Sequence, residues 1–111
     1  MKLPNHEQVA VSEAKILRYL LDESHEEGHP KAVFFMRFGF GREHWRDLAE
    51  ALRRHGSTHE VAKTQETPHG AVYVVEGPIT CPDGRSPQIR SVWFVDRGAV
   101  SPRFVTAYPL D

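Results

Sequence analysis

The sequence is short of several things, and each shortage narrows what the chain can be. Of its 111 residues one, Cys81, is a cysteine. A single thiol can form neither an internal disulfide nor a thiolate metal centre, which fits a reducing compartment and a cytoplasmic chain. No apolar run approaches the roughly 20 residues that a membrane-spanning helix needs, so no membrane partner is expected. The opening Met1-Lys2-Leu3-Pro4-Asn5-His6-Glu7 has no apolar core, which argues against a secretory signal. Neither sign of charge is in excess. Fourteen Lys and Arg face 15 Asp and Glu, a formal net charge of −1 with histidine neutral. No strong overall field therefore draws the molecule to nucleic acid, although a local basic patch is compatible with these numbers. Gly-rich phosphate loops, His-Glu-x-x-His and Cys-x-x-Cys are all missing. Neither a metal nor a cofactor is expected.

What remains is ordinary for a globular protein: 40% hydrophobic and 26% charged residues. The length suits one domain, residues 1–111, with one hydrophobic core. Pro4 disfavours helix at Leu3, so residues 3–8 read as an extended entry. Ser12 is a candidate N-cap for a first helix, with Ile16, Leu17, Leu20 and Leu21 on its apolar face and its end near Asp22. Pro30 fits the first position of a second helix through Phe34 and Phe35, ended by Gly39. A third runs from about Arg42 to His55, with Trp45, Leu48, Ala49 and Leu52 on one face. Gly56 reads as the residue just past its end.

Beyond Gly56 the apolar period changes from helical to alternating. Strands are expected at about Thr58–Glu66, Ala71–Glu76, Gln88–Val95 and Arg103–Tyr108, with Gly77-Pro78 interrupting the second. The connections are short, and Asp83-Gly84 is turn chemistry. Helices first and strands later give an α+β class. About three N-terminal helices would pack on one face of a four-stranded antiparallel meander, leaving the other face open.

Three clusters carry residue types suited to chemistry. Gly28-His29-Pro30-Lys31 puts an imidazole and an ammonium at a helix start, where free N–H groups and the dipole favour phosphate; it reads equally as a solvated loop and a capped helix. Arg90 is unusual in the apolar strand Ile89–Val95. It would hold a phosphate or carboxylate bidentately, or pair with Glu76 across the sheet. By the period of two, Phe104, Thr106 and Tyr108 share a face opposite Val105 and Ala107; Tyr108 is shaped to stack on a base, or is simply a good strand residue. His59 and Lys63 share a face of the first strand and would join a basic surface or guard an edge. His55 and His59 are four apart, but Gly56 is expected to break the helix between them. Cys81 has no evident activating partner.

Several segments are familiar together: Lys2-Leu3-Pro4-Asn5, Lys31-Ala32-Val33-Phe34-Phe35 with Gly39-Phe40, Val75-Glu76-Gly77-Pro78, Pro82-Asp83-Gly84-Arg85, Arg90-Ser91-Val92-Trp93 and Val105-Thr106-Ala107-Tyr108-Pro109. Over nearly the whole chain they resemble a family of small bacterial domains. The order of elements and the closing Thr-Ala-Tyr-Pro resemble the barnase–EndoU–colicin–RelE group of toxin-type ribonucleases. That resemblance implies metal-independent cleavage of RNA by 2′-hydroxyl attack on phosphate, with RNA as substrate and a cognate antitoxin or immunity protein as partner. It implies catalytic roles for His29, Lys31, Arg90 and Thr106: Lys31 and Arg90 on the phosphate and His29 as acid or base. Tyr108, with the basic surface of His59 and Lys63, would hold the substrate. The alternative is a non-catalytic protein-binding module of the same fold, one half of a two-protein complex, exposing an apolar patch that includes Trp93 or Tyr108.

Overall fold

The computed structural model describes residues 1–110. Helices α1 (Glu13–Lys15, continued by a π-helical turn, Ile16–Leu20), α2 (His29–Arg37) and α3 (Trp45–Thr58) precede strands β1 (Val61–Thr67), β2 (Gly70–Pro78), β3 (Gln88–Asp96) and β4 (Arg103–Pro109). The strands form one antiparallel meander in the order β1-β2-β3-β4. The expected α+β arrangement is what forms.

The ends of the elements follow local chemistry. Ser12 caps α1, its Oγ accepting from the Lys15 N–H at 3.2 Å. The turn then widens: the Leu21 N–H bonds the Ile16 carbonyl at 2.8 Å, five residues back. Ile16, Leu20 and Leu21, four and five apart, are all buried on one side of this wide turn. The entry is not extended. Asn5 takes a left-handed conformation, φ 51°, tolerated by its short polar side chain, and starts a 3-10 turn at His6–Gln8. Its Nδ2 bonds the Val100 carbonyl at 2.8 Å.

Gly56 is not past the end of α3 but inside it, and the helix runs on to Thr58. The reason is packing. A Cβ on Gly56 would lie 2.4 Å from Trp93 Cζ2, so the missing side chain lets the indole sit against the helix. Trp93, wholly buried, also meets Phe104 edge to face at 5.4 Å. Around this contact Leu48 and Leu52 of α3 join Val75, Ile89 and Ala107 in the core. The continuous helix leaves His59 as its C-terminal cap rather than in β1, so His59 and Lys63 do not share a strand face. Neither do Gly77 and Pro78 interrupt β2, which extends through both.

Strict alternation fails in β4. Trp93 pairs with Phe104 but Val92 pairs with Thr106, so Val105 is an extra residue. Phe104 and Ala107 therefore both reach the core, and Thr106 and Tyr108 stand opposite Val92 and Arg90. Phe104 does not share their face. One bulge moves both hydroxyl residues to the side of the sheet away from α3. Across that side run the rows Glu76–Arg90–Tyr108, Lys63–Val74–Val92–Thr106 and Gln65–Val72–Phe94–Arg103.

Candidate functional site

Lys31 and Thr106 are 75 positions apart in sequence (106 − 31) and meet through a residue that the sequence reading passed over, Tyr19. The Lys31 ammonium donates to Tyr19 Oη at 2.6 Å, and Tyr19 Oη lies 2.9 Å from Thr106 Oγ1. The π-turn of α1 carries Tyr19, α2 carries Lys31, and the residue after the β4 bulge is Thr106. Gly28 closes this arrangement. A Cβ there would fall 2.0 Å from the Tyr19 carbonyl oxygen, so only glycine lets the start of α2 come this near α1. His25 packs its ring edge to face with Tyr19 at 5.2 Å. The His25 Nδ1 accepts from the N–H groups of Glu27 and Gly28 at 3.1 and 3.0 Å, which puts its proton on Nε2.

Two ammonium groups flank the phenol. Lys31 Nζ is 5.0 Å and Lys15 Nζ 5.3 Å from the ring centroid. Among the described residues neither lysine forms an ion pair with a carboxylate, whereas Arg53, Arg54, Arg85, Arg90 and Arg103 all do. The half-buried phenol thus sits in unneutralised positive charge, able to hold an anion and to give or take a proton.

The other expected site residues divide. Tyr108 follows Thr106 on the same face of β4, and Arg90 lies opposite it. Arg90 stacks over the Tyr108 ring at 5.6 Å and pairs with Glu76 at 2.6 Å, the cross-sheet pairing that the sequence allowed. Hydrogen bonding to Tyr108 first, and to Glu76 second, raises its already high pKa, so it stays a cation. His29 is exposed, and its Nδ1 donates to the Glu23 carbonyl at 2.8 Å. Lys63 is exposed in the row that ends at Thr106, at the far edge of the sheet.

His59 belongs elsewhere. Its ring meets that of His55 edge to face at 4.9 Å, because α3 is not broken between them. His59 Nε2 donates to the Pro78 carbonyl at 2.9 Å, and His55 Nε2 to the Gly77 carbonyl at 3.0 Å. His55 Nδ1 accepts from Ser91 Oγ at 2.8 Å, and Ser91 Oγ accepts from Trp93 Nε1 at 2.8 Å. Burial first, and then the neighbouring His59, push the His55 pKa down to about 4 against the pull of its hydrogen bond to the Gly77 carbonyl, so this ring is neutral. The pair borders a groove of about 350 Å³ between α3 and the β2–β3 loop, with Cys81 and Ile79 in its wall. Burial pushes the Cys81 thiol up to about 11, which leaves it a poor nucleophile. Among the described residues no three His, Cys, Asp or Glu side chains converge as metal ligands. Trp93, offered as part of an exposed patch, is instead wholly buried.

Tyr19 had one signal in the sequence, a polar-tipped aromatic beside Arg18 between Leu17 and Leu20. What it touches depends on α2 and β4, which no local pattern ties to it.

Comparison with known proteins agrees with this architecture. A family model described as a domain of unknown function, DUF6883, matches residues 2–111, and the chain belongs to this family. No curated protein matches it. Among solved structures, a chain of a contact-dependent growth inhibition toxin–immunity protein complex from Klebsiella pneumoniae 342 is similar in fold. It superposes with a TM-score of 0.73 at 18% identity, over 91% of this chain and 99% of that one. No helix among the described residues is long and apolar enough to cross a membrane.

Proposed function

We propose that this DUF6883 domain is an endoribonuclease-type toxin domain of a bacterial toxin–antitoxin or toxin–immunity system. It would cleave RNA without a metal, by attack of a 2′-hydroxyl on the adjacent phosphate. The observation that carries the reading is the convergence of Lys31 and Thr106 on one half-buried polar centre. The sequence resemblance to toxin-type ribonucleases and the fold shared with a chain from a toxin–immunity complex support it. On this reading Lys31 and Arg90 bind the phosphate and stabilise the charge that builds on its oxygens. Thr106 lines the site and Tyr108 offers its ring to a base. His29, with no partner on Nε2 among the described residues, takes the 2′-hydroxyl proton. Lys63 adds positive charge further along the bound strand, and His59, at the α3 groove, takes no part in it.

The test is cleavage of total and transfer RNA in EDTA by the purified chain. Lys31→Ala should lower the rate about 10²–10³-fold, the scale of losing one stabilising donor. His29→Ala should lower it comparably. RNA left intact by the wild type, together with unimpaired growth of a host expressing it, would sink the reading.

The second reading is a protein-binding module, and the open side of the sheet favours it. Val72, Val74, Val92 and Phe94 are half-buried there, and among the described residues no helix packs over them. Arg103 stacks over Phe94 at 5.0 Å while pairing with Asp96, the counterpart of Glu76–Arg90–Tyr108 at the other end. Aromatic and arginine residues around an apolar centre are the composition of interface hot spots. A harmless wild type that captures one partner, with Val92→Lys abolishing capture, would select this reading.

A further inference from the structure

The geometry points to Tyr19 as the general acid of the proposed cleavage, the group that hands a proton to the departing 5′-oxygen. This rests on the ribonuclease reading above and adds to it a residue and a step. Transphosphorylation forms the bond between the 2′-oxygen and phosphorus and breaks the bond between phosphorus and the 5′-oxygen. An alkoxide is a poor leaving group, so the step gains from a proton delivered as the bond breaks. Tyr19 Oη is placed for that delivery. It has one proton to give, and its two protein neighbours are suited to what remains. The Lys31 ammonium already donates to the oxygen at 2.6 Å. The Thr106 hydroxyl, 2.9 Å away, can turn its own proton toward it. A phenolate formed there has two donors and two nearby ammonium groups, Lys31 and Lys15. Once the 5′-hydroxyl product leaves, solvent returns a proton to Tyr19 and accepts from His29 the proton taken from the 2′-hydroxyl, and the cycle closes.

Three features hold the phenol in place. The π-turn at Ile16–Leu20 costs regular helix geometry at the residue's own position. Gly28 admits the start of α2 to hydrogen-bond reach. The β4 bulge turns Thr106 to the side where Tyr19 meets it. His29 faces the Glu23 carbonyl, and His25 spends its Nδ1 lone pair on two backbone N–H groups. Among the titratable side chains around Lys31, Tyr19 is the one in hydrogen-bonded contact with both other members of the centre.

The experiment compares wild type and Tyr19→Phe on two substrates. One is RNA, which leaves an alkoxide. The other is a nucleoside 3′-(4-nitrophenyl phosphate), whose nitrophenolate departs without acid help. Phenylalanine keeps the ring packing, and a thermal melt checks that the variant is folded. The expected result is a fall of about 10²-fold or more on RNA, with the nitrophenyl ester cleaved within a few-fold of wild type. Equal losses on both substrates would make Tyr19 a positioning residue and overturn the proposal, as would undiminished RNA cleavage. If the wild type cleaves neither substrate, the ribonuclease reading itself fails and this proposal falls with it. Failure of the acid role alone shows instead as an active wild type with no difference between leaving groups.

Discussion

Gly56 of α3 approaches Trp93 of β3 so closely that a Cβ would stand 2.4 Å from the indole Cζ2 and 2.6 Å from Cε2. Alanine is ordinarily the better helix residue by about 1 kcal/mol. Here the rigid indole cannot move aside, being wholly buried, packed on Phe104 and bonded to Ser91. Gly56→Ala should therefore destabilise the chain by about 1–3 kcal/mol, the cost of forcing atoms into a filled core. Urea unfolding followed by tryptophan fluorescence would show it, and an unchanged or raised midpoint would refute the packing argument.

The buried His55 makes a statement about pH. Its folded pKa is lowered from 6.5 to about 4, chiefly by burial. The unfolded chain therefore binds this proton more readily between those values, and stability rises with pH across that window. The contribution is complete above about pH 6.5 and is lost as pH falls towards 4, on the order of 3 kcal/mol in all. Denaturant midpoints at pH 7, 6, 5 and 4.5 should fall in sequence. One of the seven histidines should show no imidazole titration above pH 5 in NMR spectra. A flat profile would mean that His55 is charged or exposed.

Gly28→Ala tests the placement of α2. The added carbon would lie 2.0 Å from a backbone oxygen, the Tyr19 carbonyl, which cannot swing away like a side chain. The start of α2 must shift, taking Lys31 from Tyr19. Stability should drop by about 1–3 kcal/mol, and any RNA cleavage should fall even where the variant stays fully folded at 10 °C. Cleavage equal to wild type would show that the Lys31–Tyr19 contact is dispensable.

Arg90→Ala separates function from stability. The Arg90–Glu76 pair is about one-third exposed on each side, and exposed ion pairs contribute little to folding. Its unfolding midpoint should stay close to wild type. On the ribonuclease reading its cleavage rate falls by about tenfold or more for the loss of a phosphate contact. A large loss of stability with proportionate loss of activity would make Arg90 structural.

Cys81 should be silent. It is 6% exposed, and its thiol is pushed up to about 11. A thiol reagent at pH 8 should modify it only upon unfolding, at a rate that follows denaturant. Rapid modification of the folded chain would contradict its burial.

The helices, the meander and most of the core could be read from the chain because each rests on a local period. Leu48 and Leu52, four apart on α3, point inward as their spacing says. Misreadings came where a distant contact overrode a local rule. Gly56 looked like a helix end because glycine usually marks one, and the residue that explains it, Trp93, is 37 positions on (93 − 56). Phe104, Thr106 and Tyr108 looked coplanar because alternation is the default, and nothing around Val105 announces a bulge. Of the candidate site, Lys31, Thr106, Arg90 and Tyr108 were legible as residue types, and all four stand at half-buried positions. Their link through Tyr19 was not, since it joins α1, α2 and β4 across the tertiary fold.

The single extra residue in β4 acts as a phase shift. Upstream of Val105 the strand keeps one inside–outside rhythm, and downstream it keeps the opposite one. Pairing residues 104–108 one for one against β3, with no bulge, would aim Thr106 and Tyr108 at the core and drive Ala107 outward. Where this strand carries its extra residue is thus a tighter constraint than the identity of residue 105. Natural versions of this domain should accept many side chains at that place, and also its loss, which leaves the same pairs on the same faces, but almost no single insertion between Thr106 and Ala107.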